Sequence, residues 1–397
     1  FRYDYQRQFA PILKTLVREP AENLTAPALL ERIDTILRVL KRTTYYSILA
    51  PLSAALRQAV LKVQDSEIDN SGTPEVAALR SLQDIAHRNR HLLPNLEVAS
   101  APTSEVFANL TVLPNGQTLS EQIGQFLDTY GYLSEVGTDI AVPTWREDSR
   151  PVCDLFSQFL LNPPPANEPA PAESRSPAWK VQRVQQRVNL KGQVTEVYSR
   201  LLAELRWSFV ALEKLWLEQG LLSAPGDIFF LKFEEIWRLI QQSDADLSSQ
   251  ISHLIAERRS HLEQDSHQEP VPALVYGNAP LTTINVHQWQ PSQKLQGIGA
   301  SPGQVEGRVK VLRSLQAIAE IDRETILVVP YTDSGWAPLL ARASGLIAEV
   351  GGRLSHGAIV AREYGIPAVM DVHDATHQLK DDQWVRIDGQ QGTVEIL

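Results

Sequence analysis

Residues 345–368 read GLIAEVGGRLSHGAIVAREYGIPA, and this stretch determines the fold of the C-terminal part of the chain. A short apolar run is followed by Gly351 and Gly352, which permit a tight turn and a close approach of the backbone. Ser355 is a residue type that begins helices, Gly365 is one that ends them, and a proline two residues later prevents continuation. The order predicts a strand, a glycine turn and a helix between Ser355 and Gly365.

Small and apolar residues recur along this helix at helical spacing. Gly357, Val360, Ala361 and Tyr364 fall at positions i, i+3, i+4 and i+7. They predict a narrow inner face that packs closely against the sheet.

His356 stands in the first turn of the predicted helix, beside the glycine turn. Free backbone amides and the positive end of the helix dipole favour anions at that place. Imidazole has an ordinary pKa of about 6.5, so much of it is a neutral nucleophile near pH 7. The position suits a covalent phosphoryl carrier. On these grounds alone, a histidine that merely caps or packs remains the more common case.

The surrounding region alternates short β-branched runs with short helices, which is typical of a compact α/β domain of about 100 residues. The predicted strands are 307–312, 326–329, 345–350, 368–372, 384–387 and 393–397.

Residues 1–265 read instead as successive helices. One apolar stripe at a spacing near 3.6 comprises Leu30, Ile33, Ile36, Leu37 and Leu40. The predicted fold is therefore multidomain, with a mainly α-helical region over 1–265, a linker over 266–294 and an α/β (β/β/α) domain over 295–397. The proline-rich segment 162–177 interrupts the helices and is expected to be an exposed, mobile loop.

Composition restricts the function further. The 397 residues carry a net charge of −10, which argues against nucleic acid or an anionic membrane as the main partner. No apolar run reaches the roughly 18–20 residues needed to span a bilayer. The single cysteine, Cys153, fits a cytoplasmic location. The chain starts at Phe1 without an initiator Met, from which we expect a fragment or a processed product.

The segment around His356 resembles the phosphohistidine motif of the phosphoenolpyruvate-utilising enzyme family, roughly G-G-x-[TL]-[SC]-H-x-A-[IV]-[IV]-A-R-x-x-G-[IL]-P-A. Every fixed position is present here. Residues 299–307 (GASPGQVEG) resemble the family's opening hairpin, and residues 332–339 (TDSGWAPL) resemble its T-D-P-G-W-x-P-L loop and helix. The buried stripe of that helix would comprise Trp336, Leu339, Leu340 and Ala343. The resemblance implies a phosphohistidine swivelling domain in which His356 is transiently phosphorylated.

The same resemblance implies a phosphate site around the histidine. Its candidate residues are Gly351, Gly352, Arg353, Ser355, Thr332 and Asp333. For Thr332 and Asp333, simple helix capping is nearly as good an interpretation. Arg353 and Arg362 are candidate phosphate partners, and a surface salt bridge explains Arg362 about as well.

The motif is closest to the rifampin phosphotransferase/phosphoenolpyruvate synthase-like branch of the family, and one departure favours the rifampin phosphotransferase side. The position two before the histidine, a regulatory threonine in dikinases and synthases, is Leu354 here. Residues 130–139 (YGYLSEVGTD) and 145–148 (WRED) resemble a signature of the helical region in such proteins, with Tyr132 in place of a histidine. Residues 226–231 (GDIFFL) match a further segment, expected to be a structural docking strand or turn.

The resemblance implies a phosphotransferase whose phosphoryl donor, ATP with Mg²⁺, binds to an ATP-grasp domain outside this chain. No P-loop motif is present, so this fragment alone should not phosphorylate itself. His356 would pass the phosphoryl group to a small-molecule acceptor held by the helical region. Three alternatives remain open: a phosphoenolpyruvate synthase or pyruvate phosphate dikinase without its barrel, a degenerate binding protein, and a helical region that is only a scaffold. The pairs His87/His91 and His373/His377 lack a third ligand, so no metal site is expected.

Overall fold

The computed structural model describes residues 1–95, 103–112, 116–134, 136–161, 176–266, 294–313, 321–333, 336–340 and 342–397. The helices before residue 267 are α1 (Arg2–Asp4), α2 (Ala10–Arg18), α3 (Ala26–Leu61), α4 (Pro74–Asn89), α5 (Thr103–Thr111), α6 (Gly116–Tyr130), α7 (Arg150–Leu161), α8 (Ala178–Glu218), α9 (Phe233–Gln241) and α10 (Ala245–Ser266). Three shorter helices follow, α11 (Ala337–Leu340), α12 (His356–Tyr364) and α13 (Ala375–Gln378). None of the described helices combines the length and hydrophobicity needed to cross a membrane.

The described residues between 294 and 397, here called the sheet domain, contain one mixed sheet. Its strands are β1 (Lys294–Gln296), β2 (Ile298–Ser301), β3 (Gln304–Val311), β4 (Thr325–Val329), β5 (Gly345–Ala348), β6 (Ala368–Met370), β7 (Trp384–Asp388) and β8 (Thr393–Ile396). The spatial order is β1-β8-β7-β3-β4-β5-β6-β2, with parallel pairing from β3 through β6. The six predicted strands and the multidomain helical plus α/β fold class are confirmed.

The predicted hairpin over residues 299–307 is wrong. β2 pairs with β6, whereas β3 pairs with β4 and β7, so the two consecutive strands occupy different places in the sheet. The chain turns between them at Gly303, whose φ of +122° is a backbone conformation that favours glycine. A β-carbon there would lie 3.0 Å from Pro367 Cγ, so glycine also permits the close approach of the helix exit.

The centre of the sheet is buried on both sides, since every residue of β4 and β5 is buried. Parallel strands covered on both faces read as continuous apolar runs, which is why these segments were recognisable in the sequence. The stripe predicted for the segment after Asp333 is also buried: Trp336, Leu339, Leu340 and Ala343.

Contacts within the chain divide it into two compact units. The first comprises residues 1–5, 40–203 and 293–397, and the second comprises 6–39 and 204–292. The predicted proline-rich loop 162–177 and linker 266–294 lie, except for their end residues, outside the described residues. The predicted domain boundaries stay a prediction.

In the first unit, α4 contacts both α6 and α7, and α5 contacts the same two helices. We call residues 40–203 of this unit the helical region. Its helix α4 also contacts α12 of the sheet domain, so one side of α12 faces the sheet and the other faces helices.

In the second unit, Arg32 lies at the centre of a buried polar network. Its guanidinium forms an ion pair with Glu204 at 2.6 Å and donates to Ser208 Oγ and to the carbonyls of Leu16 and Glu19. The predicted stripe on α3 packs beside it, with Leu30, Ile33 and Ile36 buried. A buried cation is tolerated here because its donors are satisfied.

The segment 226–231 is expected from the sequence to be a strand or a turn, and it forms a turn. Asp227–Phe230 is a 3₁₀ helix entered through Gly226 at φ +90°. The Glu213 carboxylate accepts the amides of Gly226 and Ile228, so this segment is held by its own backbone donors.

Candidate functional site

The loop and helix that carry His356 form as their residue types predict. α12 begins at His356 with Ser355 at the N-cap, and it ends at Gly365 in the left-handed conformation, with φ +65°. The Ser355 hydroxyl, however, makes no capping bond and donates to the Gly352 carbonyl at 2.7 Å. Gly351 adopts φ +145°, and a β-carbon there would lie 2.7 Å from Met370 Cε. The loop conformation thus depends on glycine.

The burial of α12 is wider than the predicted narrow face. Gly357, Ala358, Ile359, Val360 and Ala361 are all buried, because the helix is covered by β2 and β6 on one side and by α4 on the other.

Thr332 closes the start of α12 from a separate segment. The Gly357 amide donates to Thr332 Oγ1 at 3.1 Å. A β-carbon on Gly357 would lie 2.5 Å from the same oxygen. The hydroxyl therefore satisfies a first-turn amide that the Ser355 side chain leaves unsatisfied.

We expect Gly357→Ala to destabilise the sheet domain by about 1–3 kcal/mol, since the added methyl group must displace Thr332 from a packed position. Urea unfolding measures the difference. Gly352→Ala is the matched control, because a β-carbon there meets nothing within 4 Å. Equal stability of both variants would contradict a packed contact between Thr332 and the first turn of α12.

The His356 ring is held from the helical region. Its Nδ1 lies 2.6 Å from Oε1 of Glu75, a residue in the first turn of α4. The Glu75 side chain is 3% exposed, whereas the His356 side chain keeps 27% exposure. The two atoms do not align as a hydrogen bond, so this is a close charge contact.

Burial and pairing act in opposite directions on these two groups. Burial is the largest single influence on His356 and disfavours its charged form, but the contact with Glu75 and the charge of Asp333 together outweigh it, so the pKa of the imidazole is raised. Burial likewise opposes ionisation of Glu75, but the nearby imidazole lowers the pKa of the carboxyl below its ordinary value. The contribution of His356 to stability is fully present below its ordinary pKa of about 6.5 and is lost as the pH rises through the raised value.

Asp333 faces the other ring nitrogen. Its Oδ1 lies 4.0 Å from His356 Nε2, and its Oδ2 accepts the Gly137 amide at 2.8 Å. A β-carbon on Gly137 would lie 3.3 Å from both carboxylate oxygens. The segment 130–139 and the segment 332–339, separate in the sequence, therefore meet beside the histidine.

Lys191 approaches the same loop from α8. Its Nζ donates to the Leu354 carbonyl at 2.7 Å, and the side chain is buried. Burial lowers the pKa of the ammonium group, while the Glu75 charge opposes that shift. The loop before His356 is therefore hydrogen-bonded to a buried lysine side chain.

Leu354 anchors the loop through apolar contacts. Its side chain packs against a cluster in the helical region that includes Ala54, Val63, Val184 and Val188. Leucine lacks the hydroxyl that a threonine would offer for regulatory phosphorylation. In this structure its side chain has a packing role instead.

The predicted phosphate residues separate into two groups. Gly351, Gly352 and Ser355 form the loop before His356, and Thr332 and Asp333 are brought to α12. The two arginines instead bind the backbone of β2: Arg353 Nε donates to the Gly299 carbonyl at 3.2 Å, and Arg362 Nη1 donates to the Ala300 carbonyl at 2.7 Å. The surface salt bridge considered for Arg362 is therefore wrong, because its guanidinium is part-buried against this backbone carbonyl.

Tyr132, in place of the expected histidine, is buried. The Arg200 guanidinium lies over its ring at 4.2 Å, and burial raises the pKa of the phenol. The hydroxyl stays protonated near pH 7, so it is a hydrogen-bonding group and no base.

Sequence reasoning missed Glu75 and Lys191. Lys191 did carry a signal, because it continues the spacing of Val184 and Val188 on an otherwise apolar face of α8. Glu75 carried none, since an acidic residue in the first turn of a helix is ordinary.

Two family models match the chain. Residues 321–392 match "PEP-utilising enzyme, mobile domain", and residues 38–212 match "Rifampicin phosphotransferase fourth domain". The first match contains Thr332, Asp333 and His356, and the second contains Glu75 and Lys191.

Relatives of known name are also similar to parts of the chain. A rifampicin phosphotransferase of Streptomyces sviceus is 28% identical over 76% of this chain and 37% of its own length. Another, from Bacillus cereus, is 33% identical over 47% of this chain and 20% of its own length. The prodigiosin synthesizing transferase PigC of Serratia marcescens is 28% identical over 83% of this chain and 39% of its own length. The chain thus spans between a fifth and two fifths of these relatives.

Proposed function

We propose, from the premise that this chain carries the mobile domain of a phosphoenolpyruvate-utilising enzyme of the rifampicin phosphotransferase branch, that His356 Nε2 is a phosphoryl carrier. One observation carries the proposal: Glu75 occupies Nδ1 at 2.6 Å, whereas Nε2 lies 4.0 Å from Asp333 and has no contact that close among the described residues. A neutral imidazole with one nitrogen occupied is a nucleophile at the other.

The proposed reaction consists of two displacement steps at phosphorus. In the first, the Nε2 lone pair attacks phosphorus, and the bond between phosphorus and the donor oxygen breaks with its electron pair leaving on the donor. In the second, an acceptor hydroxyl oxygen attacks phosphorus and the electron pair of the Nε2–P bond returns to the ring. In this proposal Asp333, whose Oδ1 lies 4.0 Å from Nε2, takes the hydroxyl proton. We assign Asp333 the role of a general base and not that of a phosphate ligand, because an anionic carboxylate repels phosphate.

Lys191 supports the same site. Its ammonium group is buried and lies 2.7 Å from the carbonyl just before Ser355 and His356. A phosphoryl group on the ring adds negative charge beside Glu75 and Asp333, and a partly desolvated cation offsets it. Phosphoryl transfer depends mostly on such positioning and charge stabilisation.

The donor and the acceptor are proposed from the resemblance to the family. ATP with Mg²⁺ on a nucleotide-binding domain outside this chain is the proposed donor, and a small-molecule hydroxyl compound is the proposed acceptor. The contact of α12 with α4 supports delivery to the helical region. The names of the relatives make rifampicin the first acceptor to test, and that of PigC extends the set to other acceptors. A cytoplasmic location is part of this proposal.

The test uses the full-length protein and ATP labelled at the β or the γ phosphate. The reaction is quenched in alkali, where phosphohistidine survives. We expect acid-labile label on the wild type and none on His356→Asn, and the labelled position identifies the transferred phosphate. An unlabelled wild type that binds ATP would exclude the carrier role.

A further inference from the structure

Glu75 carries its carboxylate in a buried position, which is unusual for a negative charge. Its side chain is 3% exposed, and Oε1 lies against His356 Nδ1. Ionising a buried carboxyl group costs several kcal/mol unless a cation or aligned donors compensate for it. The position in the first turn of α4, where the helix dipole favours an anion, supplies part of that compensation.

We infer that Glu75 is a positioning residue whose charge favours a proton on His356 Nδ1 and thereby makes Nε2 the phosphorylated nitrogen. The inference rests on the proposed function and deepens it. A neutral imidazole carries one proton, so a carboxylate at Nδ1 favours the tautomer whose lone pair is on Nε2.

The same carboxylate stabilises the product of the first displacement. When Nε2 forms its bond to phosphorus, the ring keeps its proton on Nδ1 and becomes a cation. Glu75 faces that cation at 2.6 Å. When the acceptor attacks phosphorus, the electron pair returns to Nε2 and the ring becomes neutral again, with the Nδ1 proton unmoved. Glu75 therefore acts through the ring and touches no reacting atom.

Charged groups from several elements face the ring. Glu75 on α4 and Asp333 before α11 favour the protonated imidazole, whereas Lys191 on α8 opposes it. Glu75 is the strongest of the three influences and the one in closest contact. Removing its charge should therefore change both the tautomer and the titration of His356.

The first experiment uses the chain with ¹⁵N-labelled histidine, and His356 is assigned by comparison with His356→Asn. Long-range ¹H–¹⁵N spectra distinguish the two tautomers. We expect the Nδ1–H form in the wild type, a shift toward the Nε2–H form in Glu75→Gln, and a lower pKa of His356 in that variant. Glu363→Gln is the matched control, since it removes a carboxylate from α12 that contacts Arg80 and not the ring.

A second experiment needs neither ATP nor the acceptor. Phosphoramidate phosphorylates imidazoles directly, and ³¹P spectra distinguish phosphoryl groups on the two nitrogens. We expect Nε2 phosphorylation in the wild type and in Glu363→Gln, with a rate that rises as the pH passes the raised pKa of His356. Glu75→Gln should lose the preference for Nε2, and its rate should rise at lower pH.

An unchanged tautomer, titration and regiochemistry in folded Glu75→Gln would overturn the inference. These readouts are taken on the chain itself and need no ATP. The inference about Glu75 can therefore be overturned even if ATP labels His356 in the full-length protein. If ATP does not label His356 while Glu75 controls the tautomer, the proposed function fails and the positioning role remains.

Discussion

Replacing His356 by Asn is expected to lower phosphoryl transfer from ATP to the acceptor by at least about a thousandfold, because a covalent carrier has no substitute. Asn keeps the polarity and approximate size of the ring but cannot form the Nε2–P bond. The measurement is the steady-state rate of acceptor phosphorylation by the full-length protein, with ATP binding and unfolding compared in parallel.

His373→Asn is the control for this substitution. It changes a histidine in the same domain whose side chain is 72% exposed and contacts Asp374. We expect its activity to equal that of the wild type. If His356→Asn, properly folded, kept more than a tenth of the wild-type rate, the carrier mechanism would be wrong.

Leu354→Asp is expected to separate the two half-reactions. The substitution removes an apolar contact with the cluster around Ala54 and Val184 and puts a carboxylate in its place. A loss of about 3 kcal/mol in docking corresponds to about a hundredfold slower transfer to the acceptor. Phosphorylation of His356 by ATP should keep its rate, because in the proposed mechanism the donor binds to a domain outside this chain and not to this cluster.

Rapid-quench kinetics measure both steps on the full-length protein. Leu354→Met is the volume-conserving control and should be nearly neutral in both. Equal slowing of both half-reactions by Leu354→Asp would mean that the residue matters for folding alone and not for docking on the helical region.

The sequence specified α12 and its neighbourhood because the signals there are local. Ser355 at the N-cap, Gly365 at the C-cap and the apolar run of β5 each act within a few residues. The hairpin over 299–307 failed for the opposite reason. Strand pairing is decided by the whole sheet, and β2 pairs with β6, which is about 70 residues away in the chain.

The partners of the histidine were beyond local reasoning for a related cause. Thr332 and Asp333 were identified through a motif, and the structure places both beside α12. Glu75 reaches the ring from a helix about 280 residues away, and nothing in its own neighbourhood distinguishes it from an ordinary first-turn acid. Contacts between distant helices therefore supplied the half of the site on which the proposed choice of Nε2 rests.

A single-turnover chase tests the central claim most directly. The full-length protein is phosphorylated with labelled ATP, separated from nucleotide in alkaline buffer, and then mixed with rifampicin at neutral pH without ATP. The account predicts that label leaves His356 and appears on the acceptor in equal amount. Label that stays on His356, while the same preparation phosphorylates rifampicin once ATP is added, would show that the phosphoryl group travels by another route.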